Sequence, residues 1–256
     1  MPELALHHFL IVCPLIFISC FVDAVAGGGG LISLPAYLIA GLPAHQAIAT
    51  NKMSASMGAS MATFKFARLG HIPWKVAVPA LPFALGGSML GSRIALLISD
   101  HVFKIIMLFI LPFIAFYVMR KDSLVKERTP LSLRREQLVA IAAAFFIGMY
   151  DGFYGPGTGV FLILILTGVG HMSLKDANGA SKLINFITNI AALAVYLING
   201  VVVLPLGITA GLFGFAGGYL GAKMFDARGA KLARPIILTV LVIFFVKIIL
   251  ELTGVA

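Results

Sequence analysis

Hydrophobic residues run along this chain in blocks nearly free of charge: Leu4–Val22, Val76–Gly91, Ile105–Met119, Leu138–Met149, Val201–Ala222 and Ile236–Ile249. A helix crossing a bilayer needs about 20 mostly apolar residues, so each block predicts a crossing once its flanks are added. The blocks are apolar on every side. They lack the alternation of barrel strands about ten residues long, which excludes a β-barrel. Two stretches interrupt the pattern, 23–67 and 151–198, where Gly, Pro and polar residues gather between the blocks. No Lys or Arg precedes the first block and no small-residue cleavage site follows it, so it reads as a retained helix rather than a signal peptide.

Composition sharpens the class. Of 256 residues, 60% are hydrophobic and 11% charged, whereas soluble domains carry about 25% charged residues. The chain therefore reads as an all-α integral membrane protein. Its 19 Lys+Arg against 10 Asp+Glu give a net charge of +9. On so apolar a chain this excess points to membrane topology and away from nucleic acid. Cys13 and Cys20 stand in one helical block, about 10 Å apart along the axis, beyond the roughly 7 Å reach of a disulfide. They read as packing residues.

The chain matches itself at an offset of 130. Asn51-Lys52 falls on Ser181-Lys182, Gly87 on Gly217, Gly91 on Gly221 and Arg93 on Lys223. Upstream the offset is 128, with Asp23 on Asp151, Gly27 on Gly155 and Gly29 on Gly157. The same order of Asp, Gly-x-Gly, Lys and basic residue in both halves predicts a repeat: residues 1–120, then a basic linker over 121–135, then 136–256. Charge predicts its hand. Lys65, Arg68 and Lys75 flank the Gly70 loop, while the Gly200 loop has no such neighbours. Arg120, Lys121, Lys126, Arg128, Arg134 and Arg135 mark the linker, and Lys223, Arg228, Lys231 and Arg234 a later loop. With positive loops inside, corresponding loops lie on opposite sides of the membrane. That is an inverted repeat, a common plan of secondary carriers, with broken or short helices and about 8–10 membrane segments.

Candidate chemistry concentrates in the two interruptions. Gly27, Gly28, Gly29 and Gly30 precede one short apolar segment; Gly155, Gly157, Thr158 and Gly159 precede the other. Irregular backbone at membrane depth must be lined by protein or water. Glycines opening a helix present free N–H groups and the positive end of its dipole, so two such openings would form an anion site; tight helix packing is the simpler alternative. Gly87-x-x-x-Gly91 and Gly217-x-x-x-Gly221 fit packing better. Downstream, Asn178, Lys182, Asn185 and Asn189 form one helical stripe with Ser181 and Thr188 beside it. Lys52, Ser56 and Thr63 form another, with Asn51 and Ser54 adjacent. An ionisable residue inside the membrane points to function, although a lysine near a helix end can instead snorkel to the interface. Three roles are open to Asp23 and Asp151: capping the turn that follows, balancing a lysine, or exchanging a proton. Tyr150, Tyr154 and Thr158 are further hydrogen-bond donors. His45, His71, His101 and His171 show no metal-ligand spacing, and there is no Walker motif or nucleophile elbow.

The segments DAVAGGGGLISLPAYLIAGLPAHQAIATNK and YDGFYGPGTGVFLILILTGVGHMSLKDANGASK resemble those of the sulfite exporter TauE/SafE family, and the similarity runs over nearly the whole chain. The resemblance implies a multi-pass permease of the cytoplasmic membrane that moves small sulfur-containing anions such as sulfite, thiosulfate or sulfonates. It also implies about eight crossings, where the charge pattern favours ten. On this reading no cofactor is needed. The substrate would be held by Gly27–Gly30, Asn51, Lys52, Gly155, Gly157, Thr158, Ser181, Lys182 and Asn185, with Asp23 and Asp151 as candidate proton sites. The partners are the anion, the lipid bilayer and, as a further expectation, a second copy of the chain. The rivals are an intramembrane enzyme using Asp23 and Asp151 as an acid/base pair, and a passive anion channel.

Overall fold

A computed structural model describes residues 5–99, 101–102, 105 and 129–225. The blocks Ile105–Met119 and Ile236–Ile249 fall outside it but for Ile105, as do the linker cations up to Arg128 and the loop cations after Lys223. The described residues are all helical or connecting segments, with no strand among them. They form α1 (Leu6–Ala26), α2 (Gly30–Ile39), α3 (Ala44–Arg68), α4 (Trp74–Ala77), α5 (Leu81–Leu96), α6 (Leu133–Phe153), α7 (Thr158–Gly168), α8 (Leu174–Ile198) and α9 (Leu204–Met224).

Four of these, α1, α6, α8 and α9, are long and apolar enough to cross a membrane. At 1.5 Å per residue their 21 to 25 residues reach over the roughly 30 Å hydrocarbon layer. α3 has the same length, 25 residues, but its polar side chains keep it from reading as a membrane span by composition. The block Val76–Gly91 is not one uninterrupted α-helix: a 3-10 turn at Val78–Ala80 separates α4 from α5. Pro79 and Pro82 cause it, because each removes a backbone donor and crowds the preceding turn. α2 and α7, at 10 and 11 residues, cover only about half the layer. Both are largely buried by the longer helices.

The pairing of helices follows the sequence repeat. α5 lies along α6 and α9 along α1; α9 also packs on α3 and α5 on α8. α2 touches α1 and α3 as α7 touches α6 and α8, while α3 and α8 face each other at the centre. Exchanging the halves turns each of these contacts into another in the set, except the α3–α8 contact, which maps onto itself. The glycine pairs permit the closest ones. A Cβ on Gly87 or Gly91 would strike the backbone of α6 at Phe145 and Met149, and one on Gly217 or Gly221 would strike α1 at Phe17 and Phe21. The packing role expected of these motifs is the one they fill, with the last described helix of each half laid on the first helix of the other.

Two apolar clusters hold the bundle. One joins α1, α2 and α9 around Ile16, Leu31, Tyr37 and Leu206. The other gathers Phe66, Ala84, Ala144, Leu162 and Ile184. Between them runs a polar seam formed by the facing sides of α3 and α8. Exposed Leu, Ile and Phe on α5 and α9, such as Phe83, Ile94, Leu212 and Phe213, suit a lipid environment rather than water.

Candidate functional site

The two interruptions meet at the seam. α1 ends at Gly27, whose φ of +80° is left-handed and whose N–H donates to the Asp23 carbonyl at 2.8 Å. The second interruption holds Gly155 and Gly157 at φ +100° and +85° before α7 begins at Thr158. Backbone then touches backbone: the Val160 N–H donates to the Gly27 carbonyl at 3.1 Å. A Cβ on Gly27 would stand 2.5 Å from the Gly159 carbonyl carbon, and one on Gly159 2.7 Å from the Gly27 Cα. Only glycine fits at this crossing.

Each lysine of the seam is buried and reaches into the opposite half. Lys52 Nζ lies 2.9 Å from Asp151 Oδ2, and their side chains are 1% and 3% exposed. Lys182 Nζ lies 3.0 Å from Asp23 Oδ2, with exposures of 0% and 20%. Lys182 also donates to the Asp23 carbonyl. The cation of each half is thus neutralised by the acid of the other, and neither lysine snorkels to an interface. A buried charge without such a partner would be prohibitively costly.

The two acids are held differently. Asp151 Oδ1 accepts the Thr158 hydroxyl at 2.8 Å, a second anchor beside Lys52. Asp23 Oδ1 receives the Gly29 N–H at 3.3 Å, a long and weak cap. Of the three roles open to these residues, charge balance is realised by both and capping by Asp23.

A cavity opens at this junction, lined from both halves. Its volume is about 40 Å³, room for roughly three waters. Of the candidate site residues, Asp23, Gly27, Gly29, Gly30, Asn51, Lys52, Asp151, Gly155, Gly157, Thr158 and Asn185 line it. Gly28, Ser181 and Lys182 are not on its wall. Ser181 is turned to donate its hydroxyl to the Gly159 carbonyl at 3.2 Å, which braces α7 against α8. Several expected donors are engaged elsewhere. The N–H groups of Gly27 and Gly29 serve Asp23, the Thr158 hydroxyl serves Asp151 and Gly155, and the Tyr150 hydroxyl donates to the Pro156 carbonyl at 2.6 Å.

Lys52, Asn51, Ser33 and Asn185 remain as side-chain donors on the cavity wall. Among the described residues Lys52 Nζ has only Asp151 as a partner, so two of its three N–H groups are unspent. Asn189 donates from Nδ2 to Asn185 Oδ1 at 2.8 Å, which leaves the Asn185 NH₂ group for the cavity. Sequence reasoning placed Asn189 on the polar stripe and missed that it orients Asn185. It also missed Ser19, which donates to the Gly29 carbonyl at 2.8 Å and lines the wall. The i, i+4 spacing of Asn185 and Asn189 was the available signal; for Ser19 there was none. At the positions offset by 130 the first half has Ala55 and Ala59 on the same wall. The two amides therefore face small apolar residues at the equivalent positions of α3.

This arrangement suits a small anion of a few heavy atoms held beside an ammonium and an amide. A sequence model described as sulfite exporter TauE/SafE matches residues 12–248. The chain belongs to the sulfite exporter TauE/SafE family. A probable membrane transporter protein, ORF9, of Sinorhizobium sp. is 32% identical over 99% of this chain and 97% of its own length. A probable membrane transporter protein of Haemophilus influenzae is 34% identical over 86% of each chain. The probable membrane transporter protein YfcA of Escherichia coli K12 is 29% identical over 91% of this chain and 87% of its own. No solved structure matches. The chain is therefore a multi-pass membrane protein of a transporter family, and within the TauE/SafE match lie both interruptions and both ion pairs.

Proposed function

We propose that this protein is a permease of the cytoplasmic membrane for small sulfur-containing anions such as sulfite, thiosulfate or sulfonates. The observation that carries the reading is Lys52: an ammonium sealed in the bundle, with N–H groups to spare, on the wall of a cavity where two helix breaks meet. Asn185 orients the anion, and the dipoles of α2 and α7 add positive potential. Lys182 acts from behind the wall by holding Asp23. The exchange of contacts between halves, with the positive-inside pattern, supports an inverted repeat and alternating access around this site. The rival acid/base reading finds both carboxylates already committed to lysines.

The test is transport of labelled sulfite and thiosulfate by the purified protein in liposomes, comparing wild type with Lys52→Ala and Lys182→Ala. Loss of transport in Lys52→Ala is expected, with the anion recovered chemically unchanged inside. Unaltered transport in both variants removes the lysines from the mechanism. A chemically altered product would favour an enzyme.

A further inference from the structure

We propose that the two acids of the repeat do different work: Asp23 takes up a proton when an anion enters the cavity, and Asp151 stays ionised as the fixed counter-charge of Lys52. This rests on the permease reading above.

Charge accounting comes first. Lys52, Lys182, Asp23 and Asp151 sum to zero. A monoanion entering beside Lys52 leaves one negative charge uncompensated inside the bundle, where an unpaired charge is far costlier than in water. A proton on one of the carboxylates restores neutrality. Cys20 of α1 is the other titratable side chain on the wall, and a neutral thiol is no base for a further proton. α2 and α7, which touch α1, bring no charged side chain to the site; α2 contributes the Tyr37 hydroxyl, which donates to Ser54 at 2.8 Å. α9 brings Lys223, which is exposed.

Geometry then separates the acids. Asp23 is 20% exposed and lines the cavity, so water can deliver a proton to it; Asp151 is 3% exposed. Neutralising Asp23 leaves Lys182 hydrogen-bonded to the Asp23 carbonyl. Asp151 Oδ1 has the Thr158 hydroxyl at 2.8 Å, whereas Asp23 Oδ1 has the Gly29 N–H at 3.3 Å. Each difference favours Asp23 as the proton acceptor.

The probe is methanesulfonate, a monoanion that does not titrate near neutrality, added to purified protein in weakly buffered detergent. Binding by wild type should alkalinise the solution by one proton for each anion bound. A protonated-carboxyl band should appear in the infrared difference spectrum. Asp23→Asn should abolish both signals. Thr158→Val removes a hydroxyl that reaches Asp151 and the Gly155 carbonyl and has no contact with Asp23, so it should leave the band in place; Lys182→Arg alters the surroundings of Asp23 and should displace it. These two variants keep the test alive if Asp23→Asn does not fold. A band that moves in Thr158→Val and stays in Lys182→Arg overturns the assignment, as does binding by wild type without proton uptake. Those results leave the permease standing. If wild type binds none of methanesulfonate, sulfite and thiosulfate, the permease reading falls and this inference with it.

Discussion

Replacing Lys52 by Met keeps the length of the side chain and removes its charge, leaving the Asp151 carboxylate 3% exposed and without its cation. Breaking a buried ion pair from one side costs about 3–5 kcal/mol. Two features hold the value toward the lower end. The Thr158 hydroxyl still serves Asp151, and neutralising an ordinary carboxyl at about pH 7 costs roughly 4 kcal/mol, which caps the penalty. The expected loss of about 3–4 kcal/mol corresponds to a fall of roughly 6–16 °C in the thermal midpoint of a protein of this size. Lys182→Met is the internal control. Its partner Asp23 is 20% exposed, so water replaces part of the lost interaction and the cost drops to about 1–2 kcal/mol. Adding Asp151→Asn to Lys52→Met removes the stranded charge and should recover most of the loss. The assay is thermal unfolding in detergent for the three variants and wild type. A midpoint for Lys52→Met within a degree or so of wild type, or a larger loss in Lys182→Met, would refute the account of buried, reciprocal pairing.

Gly159→Ala forces a Cβ to within 2.7 Å of the Gly27 Cα, and overpacking of this kind costs about 1–3 kcal/mol; transport should fall with stability, and a variant active at wild-type levels would contradict the contact. Gly217→Val should separate α9 from α1 at the Phe17 carbonyl, lowering the yield of monodisperse protein. Asn189→Ala frees Asn185 to turn, so KM for thiosulfate should rise several-fold with kcat nearly unchanged, and Asn189→Gln should restore part of the loss. An equal effect on both constants in labelled-thiosulfate uptake would argue against an orienting role.

Much of this architecture was legible along the chain because it depends on neighbours. Gly27–Gly30 and Gly155–Gly159 interrupt apolar blocks visibly, and the stripe from Asn178 to Asn189 announces its helix through spacing alone. What stayed hidden depends on how helices are turned about one another. Nothing near Lys52 names Asp151, 99 residues away in the sequence, nor does anything near Lys182 reveal that it lies behind the cavity wall. Local chemistry also misled about the glycine N–H groups. Capping, charge balance and proton exchange are all open to Asp23 in the sequence; in the structure it pairs with Lys182 and accepts the Gly29 N–H, which engages that donor. The 3-10 turn was available from Pro79 and Pro82 and was overshadowed by the length of the apolar block around them.

The crossed embrace of α9 with α1 and α5 with α6 bears on what can move. A carrier whose halves were separate lobes could swing them about the linker. Here the first helix of each half is clasped by a helix from the other, so a rigid body assembled by packing would join α1, α3 and α9 on one side and α5, α6 and α8 on the other. The unit of motion would then be a composite of both repeats, hinged where α3 meets α8, and a gene cut at the linker would yield two fragments that each lack the surface their helices require.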